Sequence, residues 1–289
     1  MNSRDLAELV RLPAALTVPG DVWAGSAFAG QAPLTGAGAM PLGSVLLYWS
    51  GMALNDWADR EVDAVERPER VIPSGRMTAS TALGVAAGLG AAGLAVSALA
   101  GGRRALRVSV PLAVLVAAYD LVAKDSPAGP AVMASTRGLD VLLGAAAAPG
   151  AAVVPAVATA THTAGVTLLS RGEVHGARPA TAVAAIGTTA AAAAMVVGST
   201  VRDAGARPRD RWAASALAAA YVAKVGGAQA RAAADPSGAQ VRAATGAGIG
   251  GLTLLQASWL AARGRFAAAA VVVGAGPVLR RAARKVSPT

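Results

Sequence analysis

The stretch Asn55-Asp56-Trp57-Ala58-Asp59-Arg60-Glu61-Val62-Asp63 directly follows a long apolar segment, residues 41–54. Asp56, Asp59 and Asp63 are spaced i, i+3 and i+7, which on a helix places the three carboxylates on one face. Asn55 borders that face, four residues before Asp59. Because like charges on neighbouring turns repel each other, the pattern predicts a bound divalent cation, and carboxylate oxygens suit Mg²⁺.

Arginines come next along the chain. Arg67, Arg70 and Arg76 lie around two prolines and a Ser74-Gly75 turn. Carboxylates that hold the metal, beside guanidiniums that hold phosphate oxygens, are what a Mg²⁺–diphosphate requires. We therefore predict that the three aspartates are catalytic metal ligands and that Asn55 and the three arginines bind the substrate. The alternative is a solvated helix end with mixed charges, but the order of acids and arginines is more specific than that.

The composition indicates an integral membrane protein. Of 289 residues, 54% are hydrophobic and 15% are charged, with mean hydropathy +0.50, whereas soluble domains carry about 25% charged residues. The net charge of +10 does not indicate nucleic-acid binding, because the basic residues lie in short loops between apolar segments. Cysteine is absent, which excludes disulfides and thiolate metal sites. Asp5 and Glu8 interrupt the N-terminus, so we expect no cleavable signal peptide.

A membrane-spanning helix needs about 20 mostly apolar residues. We therefore expect an all-α, polytopic transmembrane bundle of nine or ten spans around a central cavity, in one domain covering residues 1–289. The candidate spans are residues 12–30, 38–57, 79–100, 105–123, 128–148, 151–170, 179–199, 211–231, 240–262 and 265–281. The last two are separated only by Arg263-Gly264-Arg265, so one of them could be a broken or re-entrant helix.

Two features of the loops and spans refine this bundle. With a cytoplasmic N-terminus, Lys and Arg are more frequent in the inner loops, which puts loop 55–76 on the cytoplasmic side of the cell membrane. Glycines four residues apart predict close helix packing at Gly84–Gly88 and at Gly246–Gly250.

The acidic and basic stretch resembles the first aspartate-rich motif of the UbiA superfamily of intramembrane prenyltransferases. The matching residues are Asn55, Asp56, Asp59, Asp63, Arg67, Pro68, Arg70, Pro73, Ser74, Gly75 and Arg76. The resemblance implies nine spans, Mg²⁺, a prenyl diphosphate substrate and a hydrophobic acceptor dissolved in membrane lipid. Three ionised aspartates at mid-bilayer would cost about 10 kcal/mol, so we expect them at the mouth of a polar cavity, at the membrane edge.

Polar residues inside two predicted spans are further candidates for substrate binding. Asp21 follows Pro19-Gly20 in the first span; it either lines a cavity near the diphosphate site or lies just inside the interface. Arg137 and Asp140 in the fifth span are i, i+3 and are predicted to pair, as a structural pair or as a substrate contact. The superfamily typically has an asparagine in this region, so the sequence departs from it here.

The fourth span ends in Tyr119 and Lys124, followed by a proline. This end resembles the tyrosine–lysine region of the superfamily, which implies that both residues contact the substrate. The alternative is an interface anchor, where Tyr and Lys are common.

The segment between the sixth and seventh spans stands where the superfamily has its second aspartate-rich motif. Here Glu173 is the one carboxylate, flanked by Arg171, His175 and Arg178. One acid is a poor second Mg²⁺ site, so we expect Glu173 to act in catalysis while Arg171 holds diphosphate directly. His175 is a candidate base or hydrogen-bond donor, or else an ordinary loop residue.

Few polar residues remain in the other spans. His162 is expected to be a hydrogen-bonded interior histidine. Lys224, Gln229 and Gln256 are expected to line the cavity or to bond neighbouring helices.

Three functions fit these observations. The first is a prenyltransferase, in which an acceptor attacks the allylic cation formed when the diphosphate leaves. The second is a terpene cyclase of the same superfamily, although only 2 Phe, 3 Tyr and 5 Trp are available to steer a cation. The third is a non-catalytic lipid-binding or carrier protein, which the altered second motif favours and the intact first motif opposes.

Overall fold

The computed structural model describes residues 2–32 and 38–286, and every regular element in these two ranges is helical. The first half contains α1 (Ser3–Leu9), a 3₁₀ turn (Leu12–Thr17), α2 (Pro19–Phe28), α3 (Met40–Ala58), α4 (Arg60–Glu66), α5 (Ala79–Ala118) and α6 (Gly129–Gly144). The second half contains α7 (Val153–Ser170), α8 (Pro179–Arg202), α9 (Pro208–Tyr221), α10 (Gly227–Ala234), α11 (Gly238–Ala262) and α12 (Phe266–Val286). The predicted all-α class is confirmed.

The third and fourth predicted spans are the two limbs of α5. The chain turns at Gly102, where φ is 59° and ψ is −149°, a backbone conformation open to glycine. Both limbs pack on α3: the Ser50 hydroxyl donates to the Ala86 carbonyl of the first limb at 2.7 Å, and Gly51 lies against Val116 of the second. α3 therefore carries its C-terminal acids to the same end as the C-terminus of α5.

The crossing of α2 and α6 is unusually tight. A Cβ added to Gly25 would lie 1.8 Å from the carbonyl oxygen of Val141, and one on Gly144 would lie 1.9 Å from that of Val22. The predicted close approaches are wrong at Gly84, Gly88 and Gly246, which have open space where a side chain would stand, whereas a Cβ on Gly250 would lie 3.2 Å from Lys224 Nζ. Spacing alone identifies small residues but not the face that meets another helix.

The second half is built around α11, most of which is buried. His162 on α7 bonds the Tyr221 hydroxyl on α9 at 2.8 Å, as expected for an interior histidine. Gln229 on α10 accepts a bond from Thr189 on α8 at 2.9 Å, which confirms its expected role between helices. Lys224 donates to the Gly250 carbonyl on α11.

Large apolar side chains are exposed on the surface of the bundle. Leu99, Val114, Val183 and Val201 expose 58–87% of their area. Within the two described ranges, three helical segments are long and apolar enough to cross a membrane, namely Ala79–Ala123, Pro149–Ser170 and Pro179–Arg202. The nine or ten spans remain a prediction.

Candidate functional site

Asp59 stands at the junction between α3 and α4. Its amide donates to the Asn55 carbonyl at 2.9 Å, and the Asp63 amide donates to the Asp59 carbonyl at 2.8 Å. Helical hydrogen bonding therefore continues through the junction. Asp56, Asp59 and Asp63 thus keep the helical spacing that places them on one face. Asp56 and Asp63 are buried, 6% and 3% exposed, so each carboxylate needs a compensating charge.

Arg70 supplies that charge to both acids. Its Nη1 atom lies 2.9 Å from Asp56 Oδ1 and 2.8 Å from Asp63 Oδ2. Arg67 is a weaker partner, 3.9 Å from Asp63 Oδ1 and mostly exposed. The loop after α4 thus folds back so that its arginines meet the acids that precede them in sequence.

The C-terminal end of α5 brings a second set of charges. Lys124 donates to Asp59, and Asn55 Nδ2 lies 3.2 Å from Asp59 Oδ2 and 3.3 Å from Asp120 Oδ1. Tyr119 begins a π-helical turn, Tyr119–Ala123, at this end of α5 and is half-buried. Because Lys124 and Asp120 are four residues apart, both lie on the face of this turn that meets α3.

Arg11 completes the network from the N-terminal segment. Its Nη2 atom lies 3.0 Å from Asp56 Oδ1 and 3.2 Å from Asn55 Oδ1. Our sequence reasoning assigned no role to Arg11 or to Asp120. The i, i+4 spacing of Asp120 and Lys124 was an available signal, whereas Arg11 stands 45 positions from Asp56 and had none.

We call this connected set of charged and amide side chains the acidic mouth. It consists of Arg11, Asn55, Asp56, Asp59, Asp63, Arg67, Arg70, Asp120 and Lys124. Its four carboxylates face four cationic side chains, so its formal charges balance.

The carboxylate oxygens of the acidic mouth are suitable ligands for Mg²⁺. Within residues 2–32 and 38–286, no three His, Asp or Glu side chains converge as a preformed metal cage. Mg²⁺ does not require one, since it commonly bridges one or two carboxylates to substrate phosphates. The oxygens of a bound diphosphate would replace the carboxylates as partners of the arginines and Lys124. The carboxylate oxygens would then be available to bind the metal.

Arg76 lies elsewhere in the structure. Its guanidinium is 2.9 Å from Asp5 and 2.8 Å from Glu8, both on α1, and it also donates to the Glu69 carbonyl. The hydrogen bonds that Arg76 donates to Glu8, and then the one that it donates to Asp5, raise the pKa of Arg76 above its ordinary value. Its predicted role as a diphosphate ligand remains a prediction, while its observed contacts hold α1 against the loop after α4.

The segment after α7 contains the residues predicted to act in place of a second aspartate cluster. Arg171 donates to the backbone carbonyls of Lys124 and Ser126, and Arg242 of α11 donates to the Glu173 carbonyl. Among the described residues, the Glu173 carboxylate has no hydrogen bond or ion pair. His175 and Arg178 are exposed. The predicted catalytic and binding roles in this segment remain predictions.

Asp21 and Arg137 form a buried ion pair between α2 and α6. Arg137 Nη2 lies 2.7 Å from Asp21 Oδ2, and Asp21 is fully buried. Asp21 therefore lies in the protein interior, and its predicted role in substrate binding remains a prediction. The predicted pairing of Arg137 with Asp140 is wrong, since Asp140 instead accepts a bond from Ser44 on α3. The packing of α2 against α6 brings Asp21 closer to Arg137 than a residue on its own helix.

Comparison with known proteins adds a family match over most of the chain. The family model described as the UbiA prenyltransferase family matches residues 17–237. Two proteins named digeranylgeranylglyceryl phosphate synthase are each 35% identical, from Natronomonas pharaonis over 156 residues and from Methanopyrus kandleri over 103 residues. These matches cover 52% and 36% of this chain, and 56% and 38% of the relatives' own length.

Solved structures share the fold at low sequence identity. A UbiA homologue from Aeropyrum pernix K1 superposes with TM-score 0.66 at 18% identity, over 92% of this chain and 98% of that one. A UbiA homologue from Archaeoglobus fulgidus, bound to DMAPP and Mg²⁺, superposes with TM-score 0.63 at 14% identity, over 92% and 99% of the two chains. Both comparisons cover most of the bundle.

Proposed function

Because this chain belongs to the UbiA prenyltransferase family, we propose that it transfers an isoprenyl group from a prenyl diphosphate to a lipid-soluble acceptor, in a Mg²⁺-dependent reaction. The single observation that carries the proposal is the acidic mouth, where buried carboxylates and a matching number of cations meet at the ends of α3 and α5. The names of the synthase relatives and the DMAPP and Mg²⁺ held by the A. fulgidus homologue support it.

The residues of the acidic mouth divide by chemistry. Asp56, Asp59 and Asp63 would hold Mg²⁺, which when bound neutralises the leaving diphosphate and so favours breaking of the allylic C–O bond. Arg70 and Lys124 already lie at the mouth beside the carboxylates, so a diphosphate that replaces those partners meets two cations in position to bind its oxygens. The apolar bundle around the prenyl chain excludes water, which leaves the acceptor as the nucleophile.

Substitution of the acids tests the proposal. We expect Asp56→Asn and Asp59→Asn to reduce diphosphate release by at least about a hundredfold, because metal-assisted charge neutralisation contributes several kcal/mol to the barrier. Glu66→Gln, at an exposed carboxylate at the end of α4, is the matched control and keeps full activity. Purified protein would be assayed with Mg²⁺, geranyl, farnesyl and geranylgeranyl diphosphates and a panel of acceptors, and thermal unfolding would verify that each variant is folded. Full activity in both aspartate variants would rule out the metal assignment.

The same assay separates the competing functions. Diphosphate release that requires an acceptor, and stops on adding a chelator, supports prenyl transfer. Hydrocarbon products formed without acceptor would support the cyclase. No turnover with any donor and acceptor would support a non-catalytic carrier.

A further inference from the structure

A second polar region lies deeper in the bundle than the acidic mouth. A cavity between α3, α5 and α6 has apolar walls formed by Leu47, Leu112 and Val116. Its polar lining includes Ser44, Tyr48, Arg137 and Asp140. Charged groups inside a membrane bundle are costly and mark functional sites more often than not, so this cavity is a candidate binding site.

The charge of Arg137 is already compensated within the protein. Asp21 lies 2.7 Å from Arg137 and is held on its other side by Gln256, whose Nε2 donates to Asp21 Oδ1 at 2.7 Å. Arg137 also donates to the Thr17 carbonyl at 3.3 Å. An incoming anion would therefore find no uncompensated positive charge here.

Asp140 gives the cavity an oxygen atom that can still accept a hydrogen bond. It is 4% exposed and lines the cavity, and Ser44 donates to its Oδ1 atom. Its Oδ2 atom takes part in no hydrogen bond with any residue that the structure describes. A second carboxylate beside a compensated ion pair repels an anion and accepts a hydrogen bond from a hydroxyl group.

The cavity lies along the same face of α3 as Asn55 of the acidic mouth. Ser44, Tyr48 and Asn55 follow one another at helical spacing, so they share one face of α3. Tyr48 lies about 10 Å along the helix from Asn55, at 1.5 Å rise per residue. It also stands within electrostatic range of both Arg11 and Arg137. An acceptor whose nucleophilic atom faces the diphosphate would extend its far end into this cavity.

We propose that the cavity binds the far polar group of the prenyl acceptor and selects a neutral, hydroxyl-bearing acceptor over an anionic one. Asp140 accepts the hydroxyl hydrogen bond, and Ser44 and Tyr48 position it. The inference rests on the proposed function, because it assumes that an acceptor is bound.

Acceptor pairs that differ only in charge test this selection. Suitable probes are 4-hydroxybenzyl alcohol against 4-hydroxybenzoate, and a monoprenyl glycerol ether against its phosphate. We expect kcat/KM to favour the neutral member by about tenfold or more, since like-charge juxtaposition opposes the wrong partner. Asp140→Asn should lower that ratio about tenfold, because it removes the repelling charge.

Controls separate selection from folding. Asp210→Asn, at an equally shielded carboxylate on α9, should keep the wild-type ratio. Ser44→Ala should raise KM for the neutral member alone, and it provides a second variant if Asp140→Asn does not fold. A merely structural role for Asp140 would change KM for both members of a pair equally and would overturn the proposal.

A binding measurement distinguishes failure of this inference from failure of the proposed function. Thermal stabilisation by each probe does not require turnover, and it reports affinity directly. Stabilisation by the neutral probes alone, lost in Asp140→Asn, supports the inference even if no product forms. Turnover without charge preference overturns the inference and leaves the proposed function intact. Absence of both donor turnover and probe binding overturns both.

Discussion

Arg11 Nη2 lies 3.0 Å from Asp56 Oδ1, so a residue of the N-terminal segment neutralises the first aspartate of the acidic mouth. Arg11 has φ of 47°, and it is the one non-glycine residue with positive φ among those the structure describes. That conformation is uncommon for a residue with a side chain. The chain adopts it at the point where α1 ends and the 3₁₀ turn begins, and this turn directs the guanidinium to the mouth.

Removal of Arg11 should change metal and donor binding in opposite directions. In Arg11→Gln, no guanidinium competes with Mg²⁺ for Asp56, so the Mg²⁺ concentration for half-maximal rate should fall about fivefold, the equivalent of a part-exposed ion pair of about 1 kcal/mol. The KM for donor should rise, because a cation near the phosphates is lost. Mg²⁺ titrations at saturating donor, and donor titrations at saturating Mg²⁺, measure the two effects.

Arg4→Gln is the matched control for that experiment. Arg4 lies on α1 and is exposed, and its backbone amide donates to Asn2, so its side chain is not part of the acidic mouth. Equal shifts in Arg4→Gln and Arg11→Gln would mean that general surface charge, and not the contact with Asp56, causes the effect.

Exchange of the charges at Lys124 and Asp59 separates folding from function. Either single change, Asp59→Lys or Lys124→Asp, places like charges together and should lower the unfolding temperature by a few degrees, as expected for about 1 kcal/mol. The double exchange restores the opposite charges and should recover stability. Activity should stay lost, because the carboxylate no longer stands at the end of α3. Recovery of turnover in the double variant would show that Asp59 acts only by tying α3 to α5.

The sequence specified the acidic mouth in part, because its acids and arginines lie within one local stretch. Helical spacing places Asp56 and Asp63 together, and the fold-back of Arg70 depends on a short loop after α4. Arg11 and Asp120 were missed because their partners stand 45 and 65 positions away. Such contacts follow from how helices pack, which one local pattern does not encode.

The ion pairs of the interior show the same limit. Arg137 and Asp140 have ideal spacing for a pair on one helix, yet Arg137 bonds Asp21, which is 116 positions away. The tight crossing of α2 and α6 brings these two side chains together. Helix class and polar candidates could thus be predicted from local spacing, whereas the choice among long-range partners could not.

Arg76 has two candidate roles that experiment can separate: the predicted binding of diphosphate and the observed contacts with α1. If its main role is to hold α1 through Glu8, then Arg76→Gln should speed hydrogen exchange in the peptide containing Leu9, which is now fully buried, because local opening controls exchange. Donor KM should then stay within about twofold of wild type, since surface substitutions have small effects. Glu8→Gln breaks the same contact from the other side and should give the same exchange. A large rise in donor KM in Arg76→Gln alone would instead identify Arg76 as a diphosphate ligand.

The crossing of α2 and α6 should be sensitive to a single methyl group. Gly25→Ala would place Cβ 1.8 Å from the Val141 carbonyl oxygen, and backbone cannot move aside as a flexible side chain can. We expect a loss of about 1–3 kcal/mol, the usual effect of overpacking, measured as a lower unfolding temperature in detergent. Gly187→Ala on α8 is the matched control, because nothing lies within 4 Å of its added Cβ, and alanine favours a helix over glycine. Because Asp21 and Arg137 meet across this crossing, Gly25→Ala should also weaken acceptor binding. Equal stability of Gly25→Ala and Gly187→Ala would show that α2 and α6 are less closely packed than the structure indicates.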